Sequence, residues 1–281
     1  MNWERLLSII MLVSLTFGAG LQVDRDHLRA ILRNVGLLGR ALLANFIIVP
    51  LLGLLLVKLF RLPPQVATGF LLMAIAPGVP FVLASVRKRG GSLGLAVALA
   101  FMLPLLSIVT VPATAALVLP TAAKADLPIS RFVVTLLLFQ LLPLLAGIAA
   151  GALAPGLPRR LGRPLQIAFF ASALALIALL APEIAHGVAS VYGSNGMWAM
   201  LCLVLLSVAT GWLLGSPAPE NRRVLAIGTG LRNVGLCALA ATSSFSDPLI
   251  AATVLTYFLF QFVITMLFGV YFARTAREST P

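Results

Sequence analysis

The strongest constraint on this chain is a succession of apolar runs, each close to the roughly 20 residues that carry a helix across a bilayer core. Nine such runs can be marked, over 6–22, 36–59, 64–86, 92–119, 130–154, 165–182, 196–215, 223–244 and 248–273. Only 10% of the 281 residues are charged, 60% are hydrophobic, and mean hydropathy is +1.07. Soluble domains carry about 25% charged residues, so this chain lacks the polar surface that water requires. The expected class is an all-α polytopic membrane protein with nine transmembrane helices, embedded in a lipid bilayer.

The net charge of +12 does not point to nucleic acid, because the basic residues fall in short bursts between apolar runs. Fourteen of the 20 Lys and Arg residues follow the odd-numbered runs, five lie on the other side, and Arg232 belongs to neither. Basic loops stay in the cytoplasm. The C-terminus is therefore expected in the cytoplasm and the N-terminus outside, in the cell's inner (plasma) membrane. The first run, "MNWERLLSIIMLVSLTFGAG", has some signal-peptide character. The Arg-rich "DRDHLRAILRNVGLLGR" behind it argues for a retained first span. Cys202 and Cys237 both lie in apolar runs and are expected to pack as small hydrophobes.

Two runs are interrupted. The third contains "AIAPGVP", Ala74 to Pro80, and the eighth contains "AIGTGLRN", Ala226 to Asn233. Both breaks open with Ala-Ile and place a glycine four residues on. Each is followed by half a helix and one long run. Runs one to four thus correspond to six to nine, with run five as connector. The chain reads as one transporter domain over 1–281, with a first unit at 5–120, a connector helix at 129–154 and a second, inverted unit at 164–275. Inverted repeats with paired broken helices are the sequence mark of a secondary transporter and of its central site.

Helix breaks inside a membrane expose backbone N–H groups that favour anions. Arg232 adds a guanidinium that can grip a carboxylate at two points. A small organic anion is the expected substrate, bound near Arg232, Asn233, Thr229, Asn45, Pro77, Gly78 and Pro80. All eight acidic residues, and both histidines, sit in loops or at run ends. The motifs of metalloproteases, serine hydrolases and P-loop enzymes are missing, so no catalytic residue and no cofactor is expected. "GIAAG", Gly147 to Gly151, has the spacing of close helix packing.

These stretches resemble the bile acid:sodium symporter family, within the bile/arsenite/riboflavin transporter superfamily, over nearly the whole chain. "LTFGAGLQVDRDHLRAILRN", "ANFIIVPLLGLLLVKLFRLPPQVATGFLLMAIAPG" and "GTGLRNVGL" carry the resemblance. It implies a panel domain and a core domain, crossing broken helices, and alternating access for organic anions coupled to two sodium ions. It also implies a sodium-ligand role for Asn45, where relatives carry an amide, and a substrate-proximal role for Asn233. The family's sodium-bridging Glu falls on Gly228, and its neighbouring Gln falls on Arg232. The usual Ser and Asn of the first break fall on Val82 and Leu83. Hydroxyl ligands of the next span are replaced within "LAVALA", Leu95 to Ala100. Most of the sodium ligand set is thus gone and a fixed cation has appeared, so the expected carrier works without sodium. The alternatives are a conventional sodium-coupled symporter and a non-transporting membrane protein that keeps the fold.

Overall fold

The computed structural model describes residues 3–23, 34–78, 90–121, 123, 129–182, 185 and 195–278. Ten helical elements follow in order: α1 (Trp3–Leu21), α2 (Val35–Phe60), α3 (Pro64–Ile75), α4 (Leu93–Val118), α5 (Ile129–Leu153), α6 (Leu157–Leu179), α7 (Gly196–Leu214), α8 (Pro219–Gly230), α9 (Val234–Ser244) and α10 (Pro248–Glu278). No strand forms among the described residues, as expected where lipid cannot pair with an open sheet edge. Seven of these helices, α1, α2, α4, α5, α6, α7 and α10, are long and apolar enough to cross a membrane. The other three, α3, α8 and α9, are shorter and flank the two interruptions.

Helix ends differ from the sequence expectation where charge alone suggested a loop. The basic stretch after the fifth run, with Arg159, Arg160 and Arg163, is not a loop. It forms the first turns of α6, with Pro158 in its first turn, where no N–H is needed. The last helix also runs past the expected 273 to Glu278.

α1 packs along α5 and α6 and against α9, while α7 lies on α8 and on α2, and α10 lies on α3 and α9. The α1–α5 crossing is close because both sides are glycine. A Cβ on Gly20 would collide with the Leu144 carbonyl, and one on Gly147 with that of Phe17. The expected packing role of "GIAAG" holds, since Gly151 also sits against Leu21. Leu51, Leu55 and Leu59 on α2, and Leu138, Leu142 and Leu145 on α5, are half exposed or more. Such apolar stripes suit lipid. The centre is different: every residue is buried from Val66 to Ile75 of α3, from Val224 to Gly230 of α8 and from Val234 to Ala241 of α9.

Candidate functional site

Two prolines and one diverted glycine amide prepare the centre by removing donors. In α2 the backbone widens into one π-turn, Ala44–Ile48, and the Val49 N–H bonds to the Ala44 carbonyl instead of the Asn45 carbonyl. The next residue that could serve Asn45 is Pro50, which has no N–H. The Asn45 carbonyl is left without a helical donor. The same happens at the end of α3. The helical partner of the Met73 carbonyl would be Pro77, and that of Ala74 would be Gly78. The Gly78 N–H is used elsewhere, on the Leu231 carbonyl at 3.0 Å.

That bond belongs to the element joining the two helix breaks. Pro77 and Arg232 form an isolated antiparallel bridge, closed on the other side by the Asn233 N–H donating to the Ala76 carbonyl at 3.0 Å. The end of α3 and the break between α8 and α9 thus meet backbone to backbone. The contact demands glycine at 78, because a Cβ there would collide with the Leu231 carbonyl.

Arg232 then turns into the space that the prolines opened. Its Nε donates to the Met73 carbonyl at 3.0 Å, Nη1 to Asn45 Oδ1 at 3.2 Å, and Nη2 to the Asn45 carbonyl at 3.4 Å and to the Ala74 carbonyl. These are the carbonyls that helix geometry cannot pair. Cations are favoured at a helix C-terminus, and this guanidinium sits on that of α3. Arg232 is only 3% exposed. Its backbone is fixed as well: the N–H donates to Gln261 Oε1 at 2.8 Å, and Gln261 Nε2 donates back to the Arg232 carbonyl at 3.2 Å. Asn45 Nδ2 donates to the Ala41 carbonyl at 3.0 Å and to Thr229 Oγ1 at 3.4 Å.

The next residue faces the opposite way. The Asn233 side chain caps α9, accepting from the Leu236 N–H at 3.1 Å. Its Nδ2 donates to Gln140 Oε1 at 3.1 Å. Gln140 lies in a second π-turn, Leu137–Leu141 of α5. Its Nε2 donates to Ser107 Oγ at 2.6 Å and to the Pro104 carbonyl at 2.8 Å. A charged network and a neutral amide network therefore leave the crossover on opposite sides.

Of the residues expected at the site, Arg232, Asn233, Thr229, Asn45, Pro77 and Gly78 come together, and Pro80 lies outside the described residues. So do Val82 and Leu83. Gln261 went unnoticed in the sequence. A lone amide inside the long last apolar run was the available signal, since a buried amide must find partners. The π-turns also went unnoticed, although each announces itself as a buried amide ahead of an in-span proline. Cys237 is buried as a small side chain whose thiol donates to the Leu72 carbonyl at 3.2 Å.

The oxygens on Arg232 are of the kind that hard cations take: carbonyls and an amide. No carboxylate is buried among the described residues. A Cβ at Gly228 would meet Leu99 Cδ1 at 3.4 Å, so that side is apolar. A sodium ion beside the guanidinium, at about 4 Å, would be repelled by roughly 4 kcal/mol at an effective dielectric of 20. The residues at the crossover do not fit a second, free cation on this oxygen set.

A helical bundle with apolar outer stripes, in which the end of α3 and the α8–α9 break are pinned together at a buried polar centre, has the makings of a multi-pass membrane transporter. The model of the Sodium Bile acid symporter family matches residues 9–194. "Uncharacterized sodium-dependent transporter YocS" of Bacillus subtilis is 24% identical over 254 residues, 87% of this chain and 76% of that protein. "Probable sodium/metabolite cotransporter BASS2, chloroplastic" of Oryza sativa subsp. japonica is 27% identical over 246 residues, 84% of this chain and 57% of that one. "P3 protein" of Bos taurus is 27% identical over 247 residues, with coverages of 84% and 50%. This chain belongs to the sodium bile acid symporter family and is a membrane transporter, not an enzyme.

Proposed function

We propose that the protein is a secondary carrier of a small organic anion, moving it by alternating access without a coupling sodium ion. What supports this most is the Pro77–Arg232 bridge, which joins two helix breaks at a buried cation. Paired broken helices in a transporter bracket its central site. In this proposal the chain crosses the membrane nine times. α3 with the residues after it makes one broken crossing, and α8 with α9 the other. The units 5–120 and 164–275 are inverted copies joined by the helix 129–154. The N-terminus lies outside and the C-terminus in the cytoplasm of the inner membrane. Arg232 supplies positive potential to the centre. Asn233, Thr229, Asn45, Pro77 and Gly78, gathered around the bridge, are the proposed neighbours of the substrate, together with Pro80.

The test is uptake of a panel of radiolabelled monocarboxylates, keto acids and bile acids into proteoliposomes. The inside is potassium-loaded, and the outer buffer contains sodium or choline. At least one anion should accumulate equally in both buffers. A panel in which no anion enters above protein-free liposomes contradicts the proposal.

The names of two relatives, a sodium-dependent transporter and a sodium/metabolite cotransporter, favour a second reading, a sodium-coupled symporter for an anionic metabolite. Uptake confined to the sodium buffer would establish it instead.

A further inference from the structure

We infer that the Arg232 guanidinium is a tethered cation: it permanently fills a cage of carbonyl oxygens that would otherwise bind a free monovalent cation. The cage has four oxygens from two helices: the Asn45 carbonyl, Asn45 Oδ1, and the carbonyls of Met73 and Ala74. Three of them are backbone oxygens that Pro50, Pro77 and the diverted Gly78 N–H leave without a helical donor. Buried carbonyls in that state need a partner. Carbonyl rings and half-helix C-termini are the groups that replace the hydration shell of alkali cations in membranes.

Here the partner is covalent. Arg232 belongs to the opposite broken helix, so its charge reaches α2 and α3 only because the Pro77–Arg232 bridge carries it there. The Gln261 amide clamps the Arg232 backbone on both its N–H and its carbonyl. The bridge and the clamp fix the Arg232 backbone, which keeps the guanidinium within reach of the cage at all times. A free ion binds and leaves with its concentration, and so can couple a gradient to a conformational change. A tethered one cannot. It holds the two breaks together at every ionic composition. The cage is a matter of cation chemistry alone, so it stands even where no organic anion is carried.

The test uses the purified full-length protein in detergent, melted in sodium, potassium or choline chloride at equal ionic strength. The wild type should melt at one temperature in all three. Arg232→Ala should melt lower. Its melting temperature should rise saturably, by a few degrees, with millimolar sodium or methylguanidinium, and not with choline. Those concentrations lie far below the molar range in which guanidinium denatures. Adding Asn45→Leu to Arg232→Ala removes one cage oxygen, and the rise should fall or vanish.

Where Arg232→Ala does not fold alone, it is purified with methylguanidinium throughout. Folded protein obtained only with that cation supports the cage. Two results overturn it. One is a saturable, sodium-specific rise in the wild type, which needs no variant at all. The other is an Arg232→Ala protein whose stability or recovery responds to none of the cations.

Discussion

Ala44–Ile48 of α2 and Leu137–Leu141 of α5 are both five-residue π-turns, both followed two residues on by a proline, and both hold a fully buried amide. In the first, the amide is the second residue, Asn45, and the carbonyl stranded by the proline is its own. In the second, the amide is the fourth residue, Gln140. The corresponding carbonyl belongs to Leu138, which is 51% exposed on the outer face. A shift of two residues thus separates a turn that aims two oxygens at the centre from one that aims a single amide. The first turn takes a full charge from Arg232; the second takes the neutral amide of Asn233. π-turns free backbone groups at functional sites, and here amide placement decides whether the freed group becomes part of a cation cage.

The charged side should be the more fragile. Arg232→Met keeps the length but strands three buried carbonyls, and should cost about 4 kcal/mol. At roughly 2–4 °C per kcal/mol in a chain of this size, that is a fall of about 10 °C in Tm, followed by tryptophan fluorescence. Gly78→Ala comes next, at about 2–3 kcal/mol, because its Cβ must push the Leu231 strand of the bridge away. A Gly78→Ala protein that melts with the wild type would mean that the bridge does not hold the two breaks together.

The comparison itself is measured by two double-mutant cycles. Asn45→Leu with Arg232→Met should show a coupling of about 2 kcal/mol, and Gln140→Leu with Asn233→Ala about 1 kcal/mol or less. Equal couplings would erase the distinction between the two turns. Smallest of all, Gly228→Ala should lie within about 0.5 kcal/mol of wild type or slightly above it. Its new methyl meets only Leu99 Cδ1 at 3.4 Å, and alanine favours a helix interior.

Much of this architecture was legible in the sequence, because in a bilayer the length of an apolar run nearly dictates a helix. "AIAPGVP" also marked the end of α3 and "AIGTGLRN" the break between α8 and α9, since proline, glycine and an intramembrane charge rarely sit in apolar runs without cause. What the sequence could not reveal was where the Arg232 side chain goes. A buried guanidinium can face a substrate carboxylate or a set of carbonyls with equal chemical logic. The choice depends on which backbone oxygens lack donors in three dimensions. That was hidden in Pro50 and Pro77, each of which strands a carbonyl four or five residues upstream. The beginning of α6 was misjudged for a related reason. Arg159, Arg160 and Arg163 look like a loop by charge, yet long basic side chains readily sit on a helix end near a membrane surface.

Radioactive sodium binding to the purified wild-type protein, competed by excess unlabelled sodium, tests the tethered cation most directly. The occupied cage predicts no saturable sodium binding to the wild type, and its appearance once Arg232 is replaced by alanine. Saturable, near-stoichiometric binding to the wild type would show that a free cation shares the crossover with Arg232, and would contradict the account.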